Sequence, residues 1–215
     1  MFTTTDSKCL EFTSPLPENL DLLHLTIEIE KEKEVNIEAH AEWLLYVWGD
    51  RCYYNHGQHI YKLPGIYSVY IFAAKLKSLV LDHVFCTSLT LTDCPQLTAL
   101  DCSYNKLTSL HISAAPLLHF LRCGNNPLRN LDLRHCPELV SVECERCVLE
   151  NIRISPCSSL RYINCNYNRL TTGLNGVLDT LPACPSFSPG KILCRENPGF
   201  TALSQKKLRL KGWEF

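Results

Sequence analysis

The sequence predicts a mostly β protein with minor α content: a solenoid on a parallel β-sheet, closed by an N-terminal antiparallel β module and a C-terminal helical cap. Three observations predict it. Leucines recur every 21 residues between Leu76 and Leu160, strand-like alternation fills the chain before them, and the period breaks near Gly173 into stretches of helical spacing. The expected divisions are residues 1–73, 74–172 and 173–215.

In the first division, LHLTIEI (Leu23 to Ile29) alternates apolar with polar, and VNIEA, WLLYVW and YSVYIF follow with β-rich composition. Gly57, Pro64 and Gly65 are expected to supply turns. An open solenoid end would present unpaired strand groups and bare leucines, so this module is expected to shield the first coil.

In the second, Leu76, Leu97, Leu118, Leu139 and Leu160 stand 21 residues apart, and Leu79, Leu100, Leu121, Val142 and Ile163 keep the same step three places on. Two further aliphatic ladders are Leu107, Leu128, Leu149, Leu170 and Leu89, Leu110, Leu131, Ile152. Cys102, Cys123, Cys144 and Cys165 also fall in register, with Leu81 at the equivalent place before them, so cysteine stands in for leucine at a small interior slot. A sparser column holds Cys94, Ala115, Cys136 and Cys157, and Pro95, Pro116 and Pro137 mark a recurrent corner. Asn105, Asn126 and Asn168 form a column expected to turn inward and bond backbone groups, with Cys147 and Val84 replacing asparagine in two coils.

The unit LTALDCSYNKLTSLHISAAPL matches a short leucine-rich repeat consensus. One such coil cannot bury its own apolar face, so stacking at roughly 4.8 Å is what stabilises it. In the third division Leu174 to Leu181 has helical spacing, Thr201 is a candidate cap for a helix reaching about Leu210, and Trp213 and Phe215 are left to cover the core end. Ile192, Cys194 and Asn197 each lie 29 residues beyond Ile163, Cys165 and Asn168, which is one period plus an eight-residue insertion.

A 21-residue repeat with cysteine in the strand resembles the cysteine-ladder repeats of bacterial internalin-like proteins over residues 76–170. Trp48-Gly49-Asp50 resembles the WGDG-containing β cap ahead of such repeats, with Arg51 where the last glycine would stand. The segments LNGVLDTLP, KILCRENPG and KGWEF resemble their terminal cap. The resemblance implies protein or glycan binding, often adhesion at a surface, and no catalytic activity.

Composition narrows the function. The chain is 46% hydrophobic, ample for a continuous core, and 21 basic residues against 22 acidic ones leave no field to attract nucleic acid or anionic lipid. The basic run Lys206, Lys207, Arg209, Lys211 is expected to be a solvated cap-helix face. No apolar stretch reaches membrane-spanning length and no signal peptide is evident, so no membrane insertion is expected. The compartment read from the residues is the cytoplasm, which suits thirteen cysteines, an odd number. Removal of a leader from a surface or secreted protein would leave the same sequence.

Candidate chemistry is sparse. Cys144-x-x-Cys147, with His135 and Cys136 nearby, has metal-ligand or redox spacing, but both cysteines belong to inward columns and are expected to be structural. His83-x-x-Cys86 is weaker, since Cys86 occupies a leucine column. Asp50 is expected to form a turn beside Gly49 rather than act as a base. With no serine elbow, phosphate loop or zinc-binding helix motif, neither enzyme activity nor a cofactor is expected.

Period-two geometry points three rows outward: Ser78, Ala99, Phe120, Ser141, Tyr162; then Val80, Asp101, Arg122, Glu143, Asn164; then His83, Tyr104, Asn125, Arg146, Tyr167. Asp101, Tyr104, Phe120, Arg122, Glu143, Arg146, Tyr162, Asn164 and Tyr167 are the candidate protein-binding residues, because tyrosine, phenylalanine and arginine bury large area while keeping a polar or cationic handle. The plainer reading is that Asp101, Arg122 and Glu143 pair across strands. A monomer that recognises a protein partner is the leading expectation. A surface adhesin stacking glycans on Tyr104 and Tyr167 is the alternative, and metal at the cysteines a third.

Overall fold

The computed structural model describes residues 2–4, 10–12, 19–48, 52–54, 57–154 and 159–215. These are mostly β, with two short helices among the described residues. The strands before the repeated region are β1 (Phe2–Thr4), β2 (Leu10–Phe12), β3 (Asp21–Ile29), β4 (Lys33–Asn36), β5 (Glu38–His40), β6 (Trp43–Trp48), β7 (Cys52–Tyr54), β8 (Gln58–Tyr61) and β9 (Gly65–Ala74). Within it come β10 (Ser78–Val80), β11 (Cys86–Thr92), β12 (Ala99–Asp101), β13 (Phe120–Arg122), β14 (Asn130–Leu133), β15 (Ser141–Glu143), β16 (Asn151–Ile154) and β17 (Tyr162–Asn164). The chain closes with α1 (Thr172–Thr180), β18 (Gly190–Leu193), α2 (Ala202–Leu210) and β19 (Trp213–Glu214).

Alternation decides which face of β3 is buried. Leu23, Leu25, Ile27 and Ile29 point inward and are excluded from solvent, as are Val69, Ile71 and Ala73 of the neighbouring β9. The antiparallel sheet runs β11-β3-β9-β6-β7, so its edge strand β11 comes from the repeated region. In exchange, β5 leaves the N-terminal part and pairs antiparallel with β10, Ala39 opposite Leu79. Two further contacts seal the junction. The buried Asp21 accepts the Leu76 amide at 2.6 Å, and Lys106 holds Glu28 at 2.9 Å and Glu30 at 3.1 Å. Two pairings thus cross the boundary expected at residue 73, and β5 satisfies the strand edge that an exposed β10 would present.

Of the expected turn residues, Gly57 makes a bend where a Cβ would fall 1.6 Å from the Ile37 carbonyl, so no larger residue fits. Gly65 departs from expectation: it opens β9, and the turn is carried by residues 62–64. Trp48 is fully buried with its ring stacked on His59 at 5.1 Å, whereas Gly49, Asp50 and Arg51 lie outside the described residues.

The second sheet runs β5-β10-β12-β13-β15-β17-β18-β19. From β10 to β17 every pairing is parallel with a step of 21: Leu79 opposite Leu100, then Leu121, Val142 and Ile163. Ile192 follows Ile163 in the same register, so the eight extra residues loop out through α1 and the segment after it without disturbing the sheet. The opposite side is less regular, with β14 and β16 pairing over four residues, Leu131 opposite Ile152. All the aliphatic ladders are buried, as are Cys94, Ala115 and Cys136; Cys157 lies outside the described residues. A buried leucine here stabilises by roughly 2 kcal/mol relative to exposure.

The asparagines behave as a second ladder. Asn126 Nδ2 donates to the carbonyls of Cys102, Cys123 and Gly124 at 2.9, 3.0 and 3.3 Å, and its Oδ1 accepts from Leu107 N at 3.0 Å. Asn105 repeats the pattern on Leu81, Cys102, Ser103 and Cys86, and Asn168 on Cys144, Cys165, Asn166 and Leu149. Asn197 repeats it across the insertion, reaching Cys165 and Cys194 and accepting from Leu170. One side chain thereby satisfies backbone groups of two adjacent periods where the chain turns out of the sheet.

After β17 the two helices that the spacing predicts form, and β18 and β19 extend the parallel sheet. Thr201 caps α2 and exchanges a reciprocal pair of bonds with Ser204. Lys207 pairs with Asp179 at 2.8 Å, Lys211 bonds the carbonyls of Asp179 and Leu181 at the end of α1, and Arg209 lies over the Phe215 ring. Most of the basic run therefore ties α2 to α1 and to the chain's last residues rather than facing solvent unengaged. Trp213 is buried against Gly190, and its Nε1 donates to Pro182 O at 2.8 Å.

Candidate protein-binding face

The register of the parallel sheet sets the first two outward rows side by side. Ala99, Phe120, Ser141 and Tyr162 are successive Cα partners, as are Asp101, Arg122, Glu143 and Asn164, and Lys191 and Leu193 continue them on β18. None of these residues is buried. Phe120 is 51% exposed, a large apolar ring left open on a flat strand surface.

The third row reaches the surface differently from expectation. His83, Tyr104, Asn125, Arg146 and Tyr167 do not continue the strand; each is left-handed, with φ between 53° and 56°. Glu196 continues the column across the insertion. The residue that follows is inward-facing in every period: Val84, Asn105, Asn126, Cys147, Asn168, Asn197. A single left-handed residue costs a non-glycine about 1 kcal/mol. It turns the chain so that the next side chain enters the core while its own amide continues the ladder, as when Tyr104 N bonds Gly124 O at 3.0 Å and Arg146 N bonds Asn166 O at 2.9 Å.

Neighbours on this corner stack. The rings of His83 and Tyr104 lie 4.2 Å apart and nearly parallel, and the Arg146 guanidinium sits 4.5 Å over the Tyr167 ring. Tyr104 and Tyr167, each about half exposed, therefore keep one ring face covered.

The strand charges pair, as the plainer reading expects. Arg122 Nε lies 3.1 Å from Glu143 Oε1 and its Nη1 3.9 Å from Asp101 Oδ2. Glu143 first, then Asp101 and Glu145, hold the guanidinium above its usual value. Asp101 also accepts from Ser103 N at 3.0 Å, and Asn164 from Asn166 N at 3.3 Å, so those two candidates serve their own corners. Phe120 is the candidate ring with the most exposed surface, while Tyr162 is half-buried.

Sequence reasoning did not single out the row between the strand and the corner: Ser103, Gly124, Glu145, Asn166 and Arg195. Glu145 lies over Gly124, where a Cβ would fall 3.0 Å from its carboxyl. Its Oε2 is buried without a hydrogen-bond partner, and burial first, with Glu143 second among the raising influences, lifts its pKa. The signal was present in period two, since Glu145 lies two residues beyond Glu143 as Glu143 lies two beyond Ser141, in the turn that follows β15. Tyr162 is likewise raised, by burial and then by Glu143 and Glu145.

The chemical-looking cysteines are interior. Cys102, Cys123, Cys144 and Cys165 are fully excluded from solvent, and burial holds their thiols well above the ordinary range. Cys147 is pushed up to about 11 and Cys86 to about 12, in both cases chiefly by burial. Among the described residues no group of three or more His, Cys, Asp or Glu is placed to hold a metal ion. His135 is exposed while Cys136 beside it turns inward, and His83 pairs with Asp82 at 2.8 Å. No helix among them is long and apolar enough to cross a membrane.

No family model matches the chain, and no curated protein matches it. The chain is similar to a solved structure described as "Functional domain of InlJ from Listeria monocytogenes includes a cysteine ladder", with 28% identity and a TM-score of 0.47, over 56% of this chain. It spans 25% of the length of that protein.

Proposed function

We propose that the chain is a capped leucine-rich repeat solenoid, with residues 1–73 and 173–215 as caps on 74–172, and that it is a non-enzymatic recognition module whose parallel-strand face docks a protein partner. The observation that carries this is the alignment of Phe120 and Tyr162 on alternate strands beside Arg122 and Glu143, with Phe120 half exposed on a rigid sheet. A large ring presented by a backbone already fixed by parallel pairing loses little further entropy on docking, which favours its use as an anchor. Asp101, Tyr104, Arg146, Asn164 and Tyr167 complete the surface around it. The protein acts as a monomer, binding neither nucleic acid nor a cofactor.

The test is capture of partners from the producing organism with wild type and variants in parallel. The captured protein should lose about 2 kcal/mol or more of binding with Arg122→Ala or Tyr162→Ala. Unchanged binding in both variants would move the site off this face. A glycan reading is favoured by the half-exposed rings of Tyr104 and Tyr167. Glycan-array binding abolished by their replacement would support it, and a blank array would count against it.

A further inference from the structure

The chain's charge is unevenly divided. Residues 173–215 hold six basic and three acidic side chains, which leaves fifteen basic against nineteen acidic before Gly173. Each of the three carboxylates has a cation beside it: Asp179 is taken by Lys207 at 2.8 Å, Glu214 stands opposite Lys191 across β18 and β19, and Glu196 follows Arg195. Lys206, Arg209 and Lys211 remain. Lys211 bonds carbonyls and Arg209 lies over the Phe215 ring, which leaves their charges unneutralised; among the described residues no carboxylate is in ion-pair contact with any of the three.

The same end leaves apolar side chains bare. Ser204 and Leu208 of α2 turn inward, and the helical period points Lys206 directly away from them, with Leu203 and Leu210 on one flank and Ala202 and Arg209 on the other. Leu203 is 62% and Leu210 78% exposed. Phe187, 90% exposed, stands on the loop between α1 and β18, in a turn closed by Ser188 N on Pro185 O. Cys184 N fixes that loop to Lys211 O, next to Leu210, at 2.7 Å. Ile60, Leu63 and Ile66 are also open, but Glu34 stands opposite Ile60 and Glu28 opposite Ile66, and four glutamates against two lysines fill residues 28–34. The C-terminal group instead combines bare apolar side chains with a cationic excess.

Projecting side chains of that kind suit a bilayer surface. Leu203 and Leu210 stand roughly 10 Å apart along a helix exterior and Phe187 on a loop, so a protein partner would need a pocket for each, whereas acyl chains close around any of them. Lysine and arginine stems reach through the headgroup layer and set their charges against anionic lipid. We propose that the outward face of α2, with Phe187 beside it, docks this end of the protein on an anionic membrane surface. Leu203 and Leu210 enter between headgroups while Lys206, Arg209 and Lys211 pair with lipid phosphates. The helix lies in the interface and does not cross it, and the strand face plays no part in the attachment.

The experiment sediments the full chain, in reductant, with vesicles of phosphatidylcholine alone or of phosphatidylcholine and phosphatidylglycerol in equal parts. The expected result is binding at least tenfold tighter to the mixed vesicles, weakening as salt is raised. Leu210→Asp and Lys206→Glu should each weaken it about tenfold or more at unchanged melting temperature, because both side chains are exposed. Ile66→Asp, at the other open apolar group, should bind as wild type does. Equal binding to the two kinds of vesicle, none to the mixed ones, or full binding by either α2 variant would overturn the proposal. So would loss of binding in Ile66→Asp, or a chain that binds poly-glutamate and not vesicles, which would make the surface a dock for an acidic protein.

Discussion

The thiol of Cys147 donates to the carbonyl of Cys123 at 3.5 Å, the same relationship that Asn126 makes to Cys102 one period earlier at 2.9 Å. The same S–H is shared with Glu145 O at 3.7 Å, the carbonyl position that the asparagine's amide bonds two residues back. Cysteine thus reproduces the donor half of the asparagine role and lacks the oxygen that would accept from Leu128 as Asn126 accepts from Leu107.

Cys147→Asn should therefore stabilise the protein. Stronger donors in place of a weak thiol and a new oxygen acceptor are worth about 1–2 kcal/mol together. Urea unfolding under reducing conditions measures it; a lower midpoint than wild type would show that the site at 147 has closed around the smaller side chain.

Asn126→Ala is the converse case. It leaves the Leu107 amide and two or three carbonyls without their buried partner, at a cost of about 3 kcal/mol. The effect should read as a shift in denaturation midpoint with little change in slope.

Stability should fall at alkaline pH. A thiol whose folded pKa is raised keeps its proton in the native state after the unfolded chain has begun to lose it, so the native state binds more protons and stability decreases as pH rises. The loss begins near the ordinary thiol value and continues toward the folded values, about 11 for Cys147 and about 12 for Cys86, Cys94 and Cys194. Denaturation midpoints in reductant from pH 7 upward test it. Alkylation at pH 8 mapped by mass spectrometry should leave Cys102, Cys123, Cys144 and Cys165 unmodified in the native state, with the half-buried Cys184 reacting before them.

Gly190→Ala should loosen the packing of Trp213 on β18. A Cβ there would meet the Trp213 ring at 2.6 Å, so the indole or strand β18 must move, costing about 1–3 kcal/mol. A red-shifted tryptophan emission together with a lower melting temperature is the expected outcome.

Phe120→Ser should separate binding from stability. The ring is half exposed and outside the core, so the melting temperature should stay within about 0.5 kcal/mol equivalent of wild type while partner binding falls. A large loss of stability would mean that the ring supports the sheet rather than a partner.

The ladder residues were legible because an interior slot repeated by stacking constrains residue type at each turn: Leu79, Leu100, Leu121, Val142 and Ile163 have no choice but to be apolar. The inward asparagines and the 29-residue step to Ile192 were legible for the same reason, as was the cap on α2. Less could be read of the junction, where β5 and β11 change places between sheets. Such pairings join residues far apart in sequence, and neither short strand carries a pattern of its own that names its partner. The left-handed column was missed because His83, Tyr104, Asn125, Arg146 and Glu196 are five different residue types; the backbone there is imposed by the turn, and each side chain tolerates it.

For the face itself, period two determined from sequence which residues leave the core, and the 21-residue step determined which of them stand side by side. Tertiary structure alone decided how they are engaged: Arg122 taken up by Glu143, Tyr104 covered by His83, Tyr167 by Arg146, and Glu145 left with an unpartnered oxygen. The reason is physical. Burial acts on every period alike and writes itself into the sequence as a repeat, whereas a surface contact depends on rotamers and on neighbours from other turns, which no single position records.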